Sequence, residues 1–268
     1  MRKYVTLYKK VGETPLECAE TWRQTQSSAY RDTPLAYAGR LDPMAEGKLL
    51  VLIGDECKKQ ADYHGLDKEY VFEVLLGTES DSGDVLGIIK DYGTTTFNTE
   101  KLQRVLQSLE GEISLPYPKF SAKTVRGKPL HMWTVEGRLN EIAIPTNISQ
   151  VYKLKLLSFR TESKESIYKY TTEKIETIPK VTDERKALGN DFRRDEVRTA
   201  WKKWLEEAEK EYQIATIKCA CGSGTYMRSL AEEIGNKLGS TGLAYSIRRT
   251  KIGRYKKLLG FGCWFKSF

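Results

Sequence analysis

The chain has 268 residues, 40% of them hydrophobic and 30% charged, which admits one large or two small domains and excludes collagen-like and broadly disordered classes. No apolar run approaches the ~20 residues of a spanning helix, and residues 1–10 have no apolar signal core, so a cytoplasmic protein without a membrane partner is expected. The net charge of +8 is unevenly spread. From residue 234 onward there is no Asp or Glu, yet Lys237, Arg248, Arg249, Lys251, Arg254, Lys256, Lys257 and Lys266 occur there; Lys119, Lys123, Arg126 and Lys128 form a second basic cluster. Tyr226, Tyr245 and Tyr255 lie in or near these stretches, a pairing of cations and rings that suits a polyanion with bases to stack, although a solvated basic face would look the same.

In chain order, the apolar run 48–53 ending at Gly54 predicts a buried strand, and residues 55–64 a helix capped by Asp55. Tyr70, Phe72, Val74 and Leu76 alternate along 68–76, the pattern of a strand, and a polar loop rich in Asp, Ser and Gly follows over 77–87. Asn98 or Thr99 caps an expected helix to Leu109, with Leu102, Val105 and Leu106 at helical spacing. A strand is expected at 151–159. The strongly polar stretch 160–211 contains a helix over 195–210 with Val197, Trp201, Trp204 and Leu205 on one side. Residues 212–219 read as a strand, 225–238 as a helix and 244–247 as a strand. There is no internal repeat. The mixture predicts an α+β fold with a large, mostly antiparallel or mixed sheet flanked by helices.

Three local features can carry chemistry. In Gly39-Arg40-Leu41-Asp42-Pro43 a carboxylate sits in a glycine-flanked loop stiffened by proline, which aims it, although Asp-Pro is also common turn chemistry. Gly222-Ser223-Gly224-Thr225-Tyr226-Met227-Arg228 lacks both the Gly-Lys-Ser/Thr ending of a P-loop and the final glycine of a dinucleotide fingerprint, so nucleotide cofactors are disfavoured. It places Tyr226 and Arg228 at a strand-to-helix junction instead. Tyr70 opens a strand, where a packing role is the simpler expectation. Five cysteines do not make a disulfide framework, and Cys219-x-Cys221 with only two histidines is a poor zinc signature, so no metal is expected.

The order of these motifs resembles the TruB-type tRNA pseudouridine synthases over most of the chain. Gly39, Leu41, Asp42, Pro43, Ala45 and Gly47 match the family's Gly-x-Leu-Asp-Pro region, and Lys68 and Tyr70 its Lys-x-Tyr strand. Gly77, Ser80, Asp81, Ser82, Asp84 and Gly87 match its Thr-Asp-Thr-x-Asp loop, and Ser121, Ala122, Gly127 and Lys128 its Ser-Ala element. Gly224, Thr225, Tyr226 and Arg228 match Gly-Thr-Tyr-x-Arg, while Ile247, Arg248 and Arg249 stand for Leu-Arg-Arg. Departures are Tyr37 in place of a family His, a degraded opening at Lys9-Lys10-Val11-Gly12, Thr124 for a Lys and Val135 for an Arg.

The resemblance implies the pseudouridine synthase fold in a single catalytic domain over 1–268, with an atypical insertion at 160–211 and without a C-terminal PUA domain. It implies isomerisation of uridine to pseudouridine in RNA, with uridine 55 of the tRNA T-loop as target, by a monomer needing no cofactor. Asp42 is then the catalytic residue, either as nucleophile or as base. Tyr70, Tyr226, Arg228 and Ile247 bind the flipped base, and Lys68, Lys123, Arg126, Lys128, Arg248 and Arg249 hold the RNA. Trp201 and Trp204 are expected to give the insertion an RNA-gripping face. A non-catalytic tRNA chaperone on the same scaffold, or the same chemistry on another RNA, are the alternatives.

Overall fold

The computed structural model describes residues 2–180, 190–258 and 261–268. Its strands are β1 (Tyr4–Lys9), β2 (Leu35–Ala38), β3 (Ala45–Ile53), β4 (Asp67–Leu76), β5 (Thr78–Ser80), β6 (Ile89–Asp91), β7 (Gly111–Pro116), β8 (Thr124–Val125), β9 (Lys128–Pro129), β10 (Thr146–Ser163), β11 (Glu211–Cys221), β12 (Gly242–Leu258) and β13 (Phe261–Ser267). Its α-helices are α1 (Pro15–Gln24), α2 (Gln60–His64), α3 (Thr99–Ser108), α4 (Leu130–Val135), α5 (Lys164–Thr177), α6 (Asn190–Glu207) and α7 (Met227–Leu238). Nine strands form one sheet in the order β1-β3-β12-β4-β11-β10-β7, with β2 on β3 and β13 on β12. Every neighbour pair is antiparallel except β3 with β12, so the sheet is mixed, as the sequence predicts. Among the described residues no helix is long and apolar enough to cross a membrane.

The central strands are the apolar ones. Phe72, Val74 and Leu75 of β4 and Ile214, Ala215 and Ile217 of β11 are fully buried. Removing such side chains from water supplies ~25 cal/mol per Å² of apolar surface, which drives the layering. Cys219 and Cys221 lie in the same core as small buried thiols. Helix α7 buries Leu230, Ala231, Ile234 and Leu238 on this sheet. A side chain at its Gly235 would collide with the backbone of Thr241 and Gly242, so glycine is what lets the helix return directly into β12.

The structure departs from the sequence pattern in informative places. Residues 54–59 are a 3-10 turn whose cap position is Ile53, a side chain without an acceptor; Asp55 lies inside the turn and pairs with Lys58 Nζ at 2.7 Å, and α2 covers only Gln60–His64. Strand β12 runs 17 residues where four were expected, since its second half is polar and pairs with β13 as a ribbon. The polar stretch after Phe159 first prolongs β10 to Ser163, whose hydroxyl caps α5, and then forms the α5–α6 hairpin.

Trp201 and Trp204 are the largest correction. They are 0% and 4% exposed, and Trp201 Nε1 donates to the Val85 carbonyl at 3.1 Å. Trp204 packs on Tyr212 with ring centroids 5.1 Å apart. Two indoles on one helix face bury more apolar area than solvent would tolerate, so this face anchors the hairpin to the core rather than gripping RNA. Trp201→Ala is expected to destabilise the protein by ~3–5 kcal/mol, read as a lowered midpoint in urea unfolding.

Candidate active site

Asp42 stands in the six-residue link between β2 and β3. Leu41 and Met44 on either side are 5% and 0% exposed and anchor the link in the core, which turns the Asp42 side chain outward at 37% exposure. The link is braced from outside and beneath. Gly12 N–H donates to the Pro43 carbonyl at 2.9 Å and Ala45 N–H to that of Asp42 at 3.0 Å. Lys9, fully buried, donates through Nζ to the carbonyls of Ala45 (2.6 Å) and Lys10 (2.9 Å). Arg249, 1% exposed, donates to the carbonyls of Lys48 (2.7 Å), Arg40 (3.3 Å) and Gly39 (3.3 Å).

Arg228 lies in the first turn of α7 and is 5% exposed. Its Nη2 is 2.9 Å from Asp42 Oδ2 and its Nε 3.7 Å from Asp84 Oδ2. It also donates to the carbonyls of Ser82 (2.9 Å) and Phe120 (3.3 Å). Burial works against the guanidinium charge, but Asp42 and Asp84 more than restore it and its pKa is raised. Asp84 is buried with the arginine. Burial pushes its carboxyl up, while Arg228 and the hydroxyl of Ser82, which donates to Oδ1 at 2.7 Å, pull it back. Gly83, at φ +76, brings this loop against Arg228 in a conformation that a residue with a side chain rarely adopts.

Asp42, Asp84 and Arg228 border a cavity of ≈ 450 Å³. Phe120, Ser121 and His131 form a second wall, and Ile175, Arg193 and Val197 of the α5–α6 hairpin a third. The Ser121 hydroxyl is buried without a hydrogen-bond partner.

Of the other residues the sequence singles out, Tyr70, Tyr226 and Ile247 do not border this cavity. Tyr70 and Ile247 lie on neighbouring strands of the sheet, 9% and 5% exposed, and Tyr226 meets Tyr117 edge-on at 5.4 Å. Both phenols are raised, chiefly by burial. Lys123, Arg126 and Arg248 are exposed, and Lys128 is paired with Glu136 at 2.6 Å. Lys68 and Arg249 need correction. Lys68 is 6% exposed, with Nζ donating to the Leu66 carbonyl and the Ser223 hydroxyl. Both cations are tied to the protein's own oxygens and act as braces rather than RNA contacts. Tyr37 packs with Cys18, Ala19, Leu49 and Val51 on the α1 side.

Sequence reasoning missed Lys9, Asp84 and Arg193 as site residues. Asp84 was visible as the last acid of the matched loop and Lys9 as the lysine of the degraded opening; nothing local marks Arg193.

The architecture is that of the pseudouridine synthases. The chain belongs to the TruB family: the model of the TruB family pseudouridylate synthase N-terminal domain matches residues 29–176. It is 26% identical over 235 residues to a tRNA pseudouridine synthase B of Caldicellulosiruptor saccharolyticus, covering 88% of this chain and 63% of that protein. It is 30% identical over 222 residues to the enzyme of the same name from Francisella philomiragia, covering 82% of this chain and 56% of that protein. The chain thus spans less than two thirds of the length of these relatives. Its fold is like that of a solved Cbf5-Nop10-Gar1 complex, with a TM-score of 0.54 at 18% identity over 93% of this chain and 48% of the other.

Burial lowers the pKa of both Lys9 and Lys68 to about 8. An unfolded lysine titrates near ~10.4, so between these values the unfolded chain holds more protons and stability rises with pH. The buried thiols of Cys18 and Cys219, whose pKa is raised, work in the opposite sense over the same window, so the contribution of Lys9 is read as a difference between two proteins. From pH ~8 to ~9.5 the urea midpoint of the wild type is expected to rise relative to that of Lys9→Met, and a constant difference would remove Lys9 as a source of pH dependence.

Proposed function

We propose that this chain isomerises a uridine of RNA to pseudouridine, that the RNA is tRNA, and that the target is the T-loop uridine at position 55. The observation that carries the proposal is the Asp42 carboxylate, held 2.9 Å from a buried guanidinium on the wall of a ≈ 450 Å³ cavity. That volume lies within the ~300–1,000 Å³ of small-ligand sites. Extruding a base from a stack costs a few kcal/mol, and a ready receptacle with phosphate contacts outside it offsets that cost.

Asp42 acts on the everted nucleoside as an ionised carboxylate, attacking the sugar or abstracting a ribose proton. The uracil leaves through its glycosidic nitrogen, turns and rejoins through C5, which frees the Asp42 carboxylate; C5 then gives up its proton and the former glycosidic nitrogen takes one up. Electrons balance within the nucleoside and no phosphoryl group moves, so the reaction calls on no cofactor. Arg228, 2.9 Å from Asp42 Oδ2, gives the carboxylate a charge-assisted hydrogen bond that holds its orientation when the base enters. Phe120, His131 and Ile175 of the cavity lining supply the rings and apolar surface for the base, and a base–aromatic contact there is worth ~1–3 kcal/mol, whereas Tyr70, Tyr226 and Ile247 lie outside that lining. Lys123, Arg126, Lys128 and Arg248 meet the phosphates.

With unmodified tRNA, the wild type is expected to form pseudouridine and Asp42→Asn none, with tRNA affinity held within about threefold. Product from neither protein, with binding retained by both, sinks the enzymatic proposal in favour of a chaperone. Arg248→Ala is expected to weaken binding and to reduce the slope of log affinity against log salt by about one. An unchanged slope would take Arg248 out of the phosphate contacts.

A further inference from the structure

Arg193 has no sequence signal, yet the tertiary structure sets it between the two segments that hold Arg228. Its Nη1 is 2.7 Å from Asp81 Oδ2, and its guanidinium carbon stands 4.6 Å above the centre of the Phe120 ring. Those are the segments whose carbonyls, of Ser82 and Phe120, receive Arg228. Asp81 also accepts the Ile88 N–H through Oδ1 at 2.9 Å, closing the loop that carries Ser82, Gly83 and Asp84. One guanidinium from the α5–α6 hairpin therefore touches both supports of the ion pair.

The hairpin can bear that load because it is itself fixed. Trp201 and Trp204 seat α6 in the core. Arg194, buried beside Arg193, donates to the carbonyls of Ile175 (2.9 Å) and Ile178 (2.7 Å), which satisfies the open end of α5 and ties the two helices together. A side chain at Gly12 would collide with the Thr177 carbonyl, so the α5 end also lies directly against the segment whose Gly12 N–H braces Pro43. Arg193 has φ +59, a left-handed conformation that is strained for a residue with a side chain. The Asp81 pair and the Phe120 stack are the contacts present to offset it.

We propose that Arg193 is a positioning residue for the catalytic ion pair, so that the α5–α6 hairpin completes the active site from outside the sheet. The proposal rests on the function assigned above. Removing the side chain loosens the loop 81–88 and the segment around Phe120, and Arg228 then drifts from Asp42 by an amount that matters to the chemical step more than to RNA capture. Displacements of ~1 Å commonly cost up to ~100-fold in turnover.

Arg193→Gly removes both contacts while relieving the backbone strain, so the fold is retained. The expected result with tRNA is a kcat reduced about 10- to 100-fold with KM within about twofold. Arg193→Lys keeps a cation toward Asp81 and should recover kcat to within about fivefold of wild type. Asp81→Asn should resemble Arg193→Gly, and the double variant should be no worse than either single one. A raised KM with intact kcat would make Arg193 an RNA contact and overturn the proposal, as would additive losses in the double variant. Amide hydrogen exchange at Leu86 and Ile88 tests the positioning claim without any turnover: faster exchange in Arg193→Gly and Asp81→Asn is expected, and unchanged exchange overturns it. If the wild type makes no pseudouridine, the assigned function fails by itself, while the exchange measurement still decides whether Arg193 orders the loop.

Discussion

A guanidinium that is 5% exposed must be neutralised within the protein, and the site follows from that requirement. Arg228 faces two carboxylates, and their surroundings separate their roles. Asp84 is buried with it and is 6% exposed, held against the guanidinium at 3.7 Å and capped by the Ser82 hydroxyl. Asp42 is 37% exposed and borders the cavity, so the same arginine steadies a carboxylate that remains open to it, as the proposed reaction requires. Loss of one partner from such a buried cluster leaves charge uncompensated at a cost of ~3–5 kcal/mol, which ties the integrity of the site to that of the fold.

The second organising principle is the use of buried cations as backbone clamps. Arg249 holds the Asp42 link through the carbonyls of Gly39 and Arg40, Lys9 fixes its far end through Ala45 at the start of β3, and Lys68 ties the segment before β4 to Ser223. A link without helix or ladder hydrogen bonds leaves its carbonyls unpaired, and a long cationic side chain reaching from a strand supplies several donors at once. This explains why residues expected to bind RNA lie beneath the site. A basic residue beside a catalytic loop has the same appearance in sequence whether its donors point at phosphates or at the protein's own carbonyls.

Much of the fold was legible because its elements advertise themselves locally. The alternation through Tyr70, Phe72, Val74 and Leu76 marks β4, and Asn98 followed by Leu102, Val105 and Leu106 marks α3 with its cap. Strands β1 and β13 and the far half of β12 were not legible, because a polar edge strand or ribbon takes its conformation from the partner it pairs with. The helical character of 195–210 was visible, but its meaning was not. The same stripe of Val197, Trp201 and Trp204 fits an exposed binding face or a buried one, and only the core waiting opposite it decides.

The sequence alone singled out, as short motifs, the residues proposed to carry the chemistry: Asp42 before its proline, Arg228 after Gly-Thr-Tyr, and the acids of the 81–84 loop. Local geometry at a turn or a helix start constrains residue type strongly enough to be read in one dimension. The tertiary structure decided which of these meet, and it added partners with no motif of their own. Lys9, Arg249 and Arg193 act across 36, 209 and 112 positions of chain to reach Ala45, Arg40 and Asp81. Contacts at such separations depend on how the sheet and the α5–α6 hairpin close over one another, and that closure follows from burial of the whole core rather than from any local pattern.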